Sequence, residues 1–178
     1  VWLHTGDMGY MYDEEFLYVV GRFKSLLISS DGEKYSPEGF EDSITDASKY
    51  VDACILHNNQ NPYTIALIVP SKDALKEYVT AKGLDPESRE GKIEMLRKIQ
   101  EEVDSYKKGG SHEGMFPERW LPSAIAVLPE PFTEKNGMVN STMKIVRGKV
   151  EKFYQDRIDY AYTSEGKALL NEKNIASL

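Results

Sequence analysis

The stretch 21–41 constrains the fold more than any other part of this 178-residue chain. Its apolar run 26–28 has the composition of a short buried strand. A tight turn is indicated at Gly32, because glycine adopts positive φ angles at no steric cost. Ser36 and Pro37 predict a helix start, with the serine as N-cap and the proline at the first helical position. The stretch therefore predicts a strand, a turn and a capped helix in direct succession.

Apolar patterns along the rest of the chain predict an α+β domain. Two β-type runs, 51–56 and 64–69, are joined by a polar loop and predict adjacent antiparallel strands, the second of them central because it is almost entirely apolar. A third run, 124–128, completes a small three-stranded sheet. Near the start, 10–13 and 16–20 predict an N-terminal β-hairpin. The expected architecture is this hairpin plus a three-stranded sheet flanked by helices.

Helical periodicity and capping signals predict four helices. Their expected ranges are 37–47, 71–81, 85–108 and 144–160. The remainder, 163–178, is more polar, and we expect this C-terminal tail to fray.

Composition excludes several classes of function. The formal net charge of −7 argues against a general nucleic-acid surface, which needs a basic stripe. With a single cysteine, Cys54, no internal disulfide forms, and the composition fits a reducing, cytoplasmic compartment. The three histidines are far apart and lack metal-ligand spacing, so we predict no metal site. No apolar run has the length that crosses a bilayer, and no signal peptide is visible.

Taken alone, the candidate functional residues allow ordinary interpretations. Asp7 lies in a glycine-containing loop, where a carboxylate can accept two hydrogen bonds from a vicinal diol but is more often a turn former. Arg22 carries a planar fork of donors suited to ribose or phosphate oxygens. Local chemistry does not distinguish Lys24 and Lys34 from solvated surface lysines. Lys144 is likewise compatible with a charged turn before a helix.

Three motifs together resemble the C-terminal part of adenylate-forming enzymes, the superfamily of acyl-CoA synthetases, luciferases and peptide-synthetase adenylation domains. They are Thr5-Gly6-Asp7, then Gly21-Arg22-x-Lys24 with Gly32 and Pro37-x-x-x-Glu41, then Asn136-Gly137 with Thr142 to Arg147. The runs Leu128 to Thr133 and Asn140-x-Thr142-Met143-Lys144 resemble the long-chain fatty acid–CoA ligase branch in particular.

This resemblance implies that the chain is the C-terminal lid of a two-domain long-chain fatty acid–CoA ligase. It implies the end of the large-domain segment and the hairpin in 1–23, the lid domain in 24–162 and the polar tail in 163–178. The phosphate loop, the acid pocket and the Mg²⁺ ligand would belong to a missing N-terminal domain of the same polypeptide. We therefore expect a longer natural protein, and a fragment that is inactive alone.

By the same resemblance, Lys144 is the catalytic lysine that the lid brings to the active site for adenylation. Asp7 grips the ribose hydroxyls of AMP or ATP, and Arg22 assists nucleotide binding. The remaining assignments are Lys24 as the hinge residue, and Gly32 and Lys34 on the face that serves the thioester step.

The implied cofactors and substrates are ATP/AMP, coenzyme A, Mg²⁺ and a fatty acid. Two alternatives stay open: the acyl acceptor is the phosphopantetheine of an acyl carrier protein, or the chain is a non-catalytic binding module that retains only the lid fold. Fatty acid chain length, oligomeric state and peripheral contact with the cytoplasmic face of a membrane are not fixed by the residues.

Overall fold

A computed structural model describes residues 4–13 and 15–178; Val1, Trp2, Leu3, Glu14 and the side chains of Val20 and Lys24 lie outside the described part. The strands are β1 (Asp7–Tyr12), β2 (Phe16–Arg22), β3 (Leu27–Ser29), β4 (Lys34–Tyr35), β5 (Val51–His57), β6 (Asn59–Asn61), β7 (Ile65–Pro70) and β8 (Ala124–Val127). The helices are α1 (Glu38–Ala47), α2 (Lys72–Ala81), α3 (Arg89–Asp104), α4 (Arg147–Phe153), α5 (Gln155–Ala161), α6 (Ser164–Lys167) and α7 (Glu172–Ala176). The α+β class is confirmed.

The predicted N-terminal hairpin is present as the antiparallel pair β1 and β2. Tyr10 stacks on Tyr18 across the pair, with ring centroids 5.2 Å apart. Cross-strand aromatic pairs of this kind stabilise a two-stranded ribbon. Many of its apolar side chains are nevertheless exposed, for example Leu17 at 64% and Tyr12 at 63%.

The three-stranded sheet has the order β5-β7-β8, which confirms the prediction that the second apolar run is central. Strand β7 is antiparallel to β5 and parallel to β8. All six of its residues are buried, because both faces of the sheet are covered. Side chains alternate along β7, so Ala66 and Ile68 contribute to one apolar cluster while Ile65, Leu67 and Val69 contribute to the other.

Different helices cover the two faces of the three-stranded sheet. Apolar side chains of α1, α2, α3 and α7 join the first cluster, and those of α4 and α5 join the second. Cys54, predicted to be a core residue, is 3% exposed in the first cluster. Within the described ranges, no helix combines the length and apolar character needed to cross a membrane.

A second small sheet, β4-β3-β6, contains the predicted turn at Gly32, whose φ is 86°. The polar segment 57–62 was predicted to be a loop, and this is wrong in part because Asn59–Asn61 pairs in parallel with β3. The Ile28 amide donates to the Asn58 carbonyl at 3.2 Å, which joins the two sheets at this corner.

Several predicted helix ends are wrong. Pro37 rather than Ser36 occupies the N-cap of α1, and no side chain caps it. Helix α3 begins at Arg89 instead of 85, because the Ser88 hydroxyl caps it by accepting from the Gly91 amide at 3.0 Å. The single helix expected over 144–160 is two helices, since Tyr154 leaves helical geometry with φ −100° and ψ 22°.

The expectation that the tail after 163 frays is also wrong. It forms α6 and α7, and Asn174 on α7 is fully buried. The Asn174 amide donates to the Ile125 and Leu169 carbonyls at 3.0 Å each. Its oxygen accepts from the Val127 amide at 2.9 Å and from Arg157 at 2.8 Å. The tail is thus bound to the edge strand β8, while the boundary at 163 itself stays a prediction.

Replacement of Asn174 by alanine is expected to lower the free energy of unfolding of the chain by about 3 kcal/mol, because several buried groups lose their partners. Urea denaturation measures this change. The matched control is Asn59→Ala, at an exposed asparagine, which should alter stability by no more than about 0.5 kcal/mol. Equal effects of the two variants would contradict the assigned role of Asn174.

Candidate functional site

The candidate site is an open cleft of about 690 Å³ between the end of the hairpin, α1 and the loop 140–147. Charged side chains from all three elements line it. Its polar and charged lining residues include Arg22, Glu38, Glu41, Asp42, Asn140, Lys144 and Arg147. The fold therefore brings residues of the second and third sequence motifs, such as Glu41 and Lys144, more than one hundred residues apart in the sequence, to one place.

The loop that carries Lys144 is organised by the Asn140 side chain. Its Oδ1 accepts hydrogen bonds from the Thr142 amide at 3.0 Å, the Thr142 hydroxyl at 2.8 Å and the Lys144 amide at 2.9 Å. The main-chain N–H of Asn140 in turn donates to the Lys144 carbonyl at 2.9 Å. An asparagine that caps its own following turn explains why the sequence needs Asn140-x-Thr142 before the lysine.

The tip of this loop projects from the surface. Val139 and Ile145 form an isolated antiparallel bridge at its base. Met143 beyond the bridge has a φ of 59° and is 77% exposed. Lys144, next to it, is exposed as well. The ammonium group thus sits at the end of a short, internally hydrogen-bonded finger.

The expectation that Asp7 lies on a loop is wrong, because Asp7 is the first residue of β1 and pairs with Arg22 of β2. The Arg22 Nε is 3.5 Å from the Asp7 Oδ1, and both side chains are largely exposed, at 65% and 42%. Gly21, with a φ of 141°, lets this strand pass the start of α1, since a Cβ there would be 2.9 Å from the Ser36 Oγ. The structure therefore brings Asp7 and Arg22 together, with Arg22 at the wall of the cleft.

Lys24 lies in a 3₁₀ turn, Phe23–Ser25, that links the hairpin to β3. The residues on either side, Arg22 and Leu26, have extended backbone angles. The prediction of a hinge falls on this short connection, and the Lys24 side chain lies outside the described part of the structure.

Gly32 and Lys34 do not line the cleft. They belong to the β3–β4 turn, which is held by an ion pair in which Arg119 donates to the Glu33 carboxylate at 2.5 and 2.6 Å. The Lys34 Nζ lies 5.4 Å from the centre of the Phe23 ring, beside the connection that contains Lys24. The site residues predicted for the two chemical steps thus lie on different parts of the surface.

Sequence reasoning assigned no role to a buried ion pair beside Lys144. The Glu41 carboxylate accepts from Arg147 Nη2 at 2.7 and 2.6 Å and from the Leu56 amide at 2.6 Å. Arg147 Nη1 also donates to the Leu56 carbonyl at 2.7 Å. We call this arrangement the Glu41–Arg147 clasp. One feature of the sequence could have indicated this pair. Glu41 and Ile44 are three positions apart and therefore share a face of α1, and this face directs the Glu41 carboxylate toward the core.

The electrostatics of the clasp reflect its burial. Burial raises the pKa of Glu41, while the charge and hydrogen bonds of Arg147 and the Leu56 amide act in the opposite direction. The Glu41 and Arg147 side chains are 11% and 18% exposed. A pair so shielded from water depends on each partner to compensate the other. Among residues 4–13 and 15–178, no group of three or more His, Cys, Asp or Glu side chains is arranged to hold a metal ion.

Comparison with known proteins indicates the family to which the chain belongs. The family model for the AMP-binding enzyme C-terminal domain matches residues 24–166. Long chain acyl-CoA synthetase 8 of Arabidopsis thaliana is 29% identical over 90% of this chain and 22% of its own length. Mouse long-chain-fatty-acid–CoA ligase 5 is 29% identical over 92% of this chain and 24% of its own length. The chain thus spans about a quarter of these relatives.

A solved structure shares the fold. The A-PCP didomain of carboxylic acid reductase from Segniliparus rugosus, in complex with AMP, superposes with a TM-score of 0.66 at 22% identity, over 92% of this chain and 21% of the other. The family match covers most of the chain and includes the clasp and the loop that carries Lys144. This chain therefore belongs to the family of AMP-binding enzyme C-terminal domains.

Proposed function

We propose that this chain is the C-terminal lid of an ATP-dependent long-chain fatty acid–CoA ligase, which forms an acyl-adenylate and then an acyl-CoA thioester. The observation that carries the proposal is the position of Lys144. Its ammonium group lies on an exposed, internally braced loop, in the same cleft as Arg22. The long-chain substrate follows from the named relatives.

In the first half-reaction, a carboxylate oxygen of the fatty acid attacks the α-phosphorus of ATP, and pyrophosphate leaves. Negative charge builds up on the phosphoryl oxygens during this displacement. A lysine ammonium placed beside them stabilises that charge more in the transition state than in the substrate, and this difference accelerates the reaction. We assign this role to Lys144, which is the catalytic residue of the proposal.

The Asp7–Arg22 pair suits the nucleotide. The carboxylate of Asp7 can accept hydrogen bonds from both ribose hydroxyls, and the guanidinium of Arg22 can donate to ribose or phosphate oxygens. Both groups are exposed and only 3.5 Å apart, so a ligand can reach them without unfolding any element. We assign nucleotide binding to these two residues.

In the second half-reaction, the thiol of coenzyme A attacks the acyl carbonyl carbon, the carbon–oxygen bond to AMP breaks, and the thiol proton passes to the solvent. We assign the face of this step to Gly32 and Lys34. Neither residue lines the cleft that contains Lys144, so in the proposal the lid presents the two surfaces in two different orientations. Rotation about Lys24, in the short connection Phe23–Ser25, would exchange the two faces.

The remainder of the active site would come from a larger N-terminal domain of the same polypeptide. The exposed apolar side chains of the hairpin favour this, because isolated soluble surfaces rarely keep so many together. In the proposal that domain holds the Mg²⁺ that accompanies ATP, and we assign no residue of this chain to the metal. The single buried Cys54 fits a reducing, cytoplasmic environment.

The acyl acceptor is tested with the full-length enzyme, a fatty acid and ATP. We expect coenzyme A to support steady turnover to the thioester, detected by loss of free thiol. A phosphopantetheinylated acyl carrier protein is the matched competitor. If only the carrier protein is acylated, the acceptor assigned here is wrong. If neither acceptor reacts and no acyl-adenylate forms, the chain is a binding module that retains the lid fold.

A further inference from the structure

The Glu41–Arg147 clasp connects the loop of Lys144 to the core of the domain. Arg147 is the first residue of α4 and follows Lys144 by three positions. Its guanidinium contacts Glu41 of α1 and the main chain of Leu56 in β5. Glu41 also accepts from the Leu56 amide. The two side chains together therefore bind both the main-chain N–H and the main-chain carbonyl of Leu56.

The Asn140 bonds and the clasp support the loop in different ways, in addition to the Val139–Ile145 bridge at its base. Asn140 shapes the loop internally through bonds to Thr142 and Lys144. Those bonds do not determine how the loop is oriented relative to the rest of the lid. The clasp does, since it joins the end of the loop to α1 and to the sheet. An arginine fork that makes several fixed bonds restricts orientation more than a single lysine contact does.

We propose that the Glu41–Arg147 clasp positions Lys144 for adenylation, so that both residues act on the first half-reaction through the loop. The proposal rests on the function proposed above. Neither Glu41 nor Arg147 touches a reacting atom in it. Both are positioning residues, and displacement of a catalytic group by about 1 Å can reduce a rate by about 10²-fold.

The domain contains a matched control for the clasp. Arg157 of α5 uses its Nη2 to donate to the Val127 carbonyl and the Asn174 side chain, at 2.8 Å each. It thus also joins a helix to a strand carbonyl and to a buried polar side chain. Unlike Arg147, it does not line the cleft. If weakened packing alone lowers the reaction rates, substitution of either arginine should lower them equally.

The experiment compares Arg147→Lys, Glu41→Gln and Arg157→Lys in the full-length enzyme, each first checked for folding by thermal unfolding. Two rates are measured: acid-dependent ATP–pyrophosphate exchange, and thioester formation from synthetic acyl-adenylate and coenzyme A. We expect both clasp variants to lower kcat for exchange by about 10- to 100-fold, with thioester formation within about twofold of the parent enzyme. We expect Arg157→Lys to leave the ratio of the two rates unchanged.

Two results would overturn the inference while the proposed function stands: unchanged exchange in both clasp variants, or an equal decrease of both half-reactions. Lys144→Ala is included as the reference. If that variant retains full exchange, the proposed function itself is wrong, so the two failures are distinguishable. Glu41→Gln preserves size and a hydrogen bond acceptor for Leu56, and it tests the ion pair if Arg147→Lys proves unstable.

Discussion

Replacement of Lys144 by alanine in the full-length enzyme is expected to lower acid-dependent ATP–pyrophosphate exchange by about 10²–10³-fold. This corresponds to about 3 to 4 kcal/mol of transition-state stabilisation, the usual contribution of one preorganised charge-stabilising group. The same variant should convert synthetic acyl-adenylate to thioester at close to the parent rate, because the lysine is assigned only to the first step. Exchange and single-turnover assays measure the two quantities separately.

The matched control for this variant is Lys149→Ala. Lys149 lies on α4, is exposed like Lys144, and does not line the cleft. Its removal subtracts the same charge a few residues away. We expect it to leave exchange nearly unchanged. Equal losses in the two variants would mean that net charge, rather than the position of one ammonium group, governs the rate.

Removal of the Glu41 side chain is expected to produce the largest loss of stability. In Glu41→Ala, Arg147 remains in a site where its side chain is only 18% exposed, without its carboxylate partner. The Leu56 amide also loses its acceptor. Breaking one half of a buried ion pair costs about 3–5 kcal/mol. Urea unfolding of the 178-residue chain measures the change, and Asp42→Ala on the exposed face of the same helix provides the control.

The double variant Glu41→Leu with Arg147→Met separates two explanations of that loss. If the cost comes from an unpaired buried charge, removal of both charges should recover most of the stability, as buried pairs often tolerate apolar replacement. The same double variant should remain defective in adenylation, because apolar contacts do not fix the orientation of the loop. A double variant as unstable as Glu41→Ala would show that packing, not charge, is responsible.

Patterns with a strong local cause allowed much of the fold to be predicted. The runs 51–56, 64–69 and 124–128 are short and apolar, and each corresponds to a strand of the central sheet. The turn at Gly32 followed from the freedom of glycine to adopt positive φ. The errors occur where distant contacts decide the outcome: Asn59–Asn61 becomes a strand only because β3 lies beside it.

The tail and the last helix illustrate the same limit. Asn174 is polar, and nothing in its local sequence indicates that four hydrogen bonds bind it to β8, Leu169 and Arg157. Polarity alone therefore predicted fraying where the chain is buried. The break between α4 and α5 at Tyr154 could not be predicted either, because no proline or glycine stands at that position.

Residues of the candidate site could be selected from the sequence, but the contacts that hold them in place could not. Motif resemblance selected Asp7, Arg22 and Lys144, and the structure places all three in or beside one cleft. It also selected Glu41 and Arg147 as motif members without a role. Their pairing joins positions separated by 106 residues, and only the folded chain reveals that they meet. The roles of all the predicted site residues remain predictions: Asp7, Arg22, Lys24, Gly32, Lys34 and Lys144.

The most direct measurement is a structure of the full-length enzyme with ATP and an unreactive fatty acid analogue bound together. We expect the Lys144 Nζ to lie about 2.7–3.2 Å from an α-phosphate oxygen, with Asp7 in contact with the ribose hydroxyls. A complex in which a cation from elsewhere in the protein occupies that position, with Lys144 turned to solvent, would contradict the assignment of this lysine.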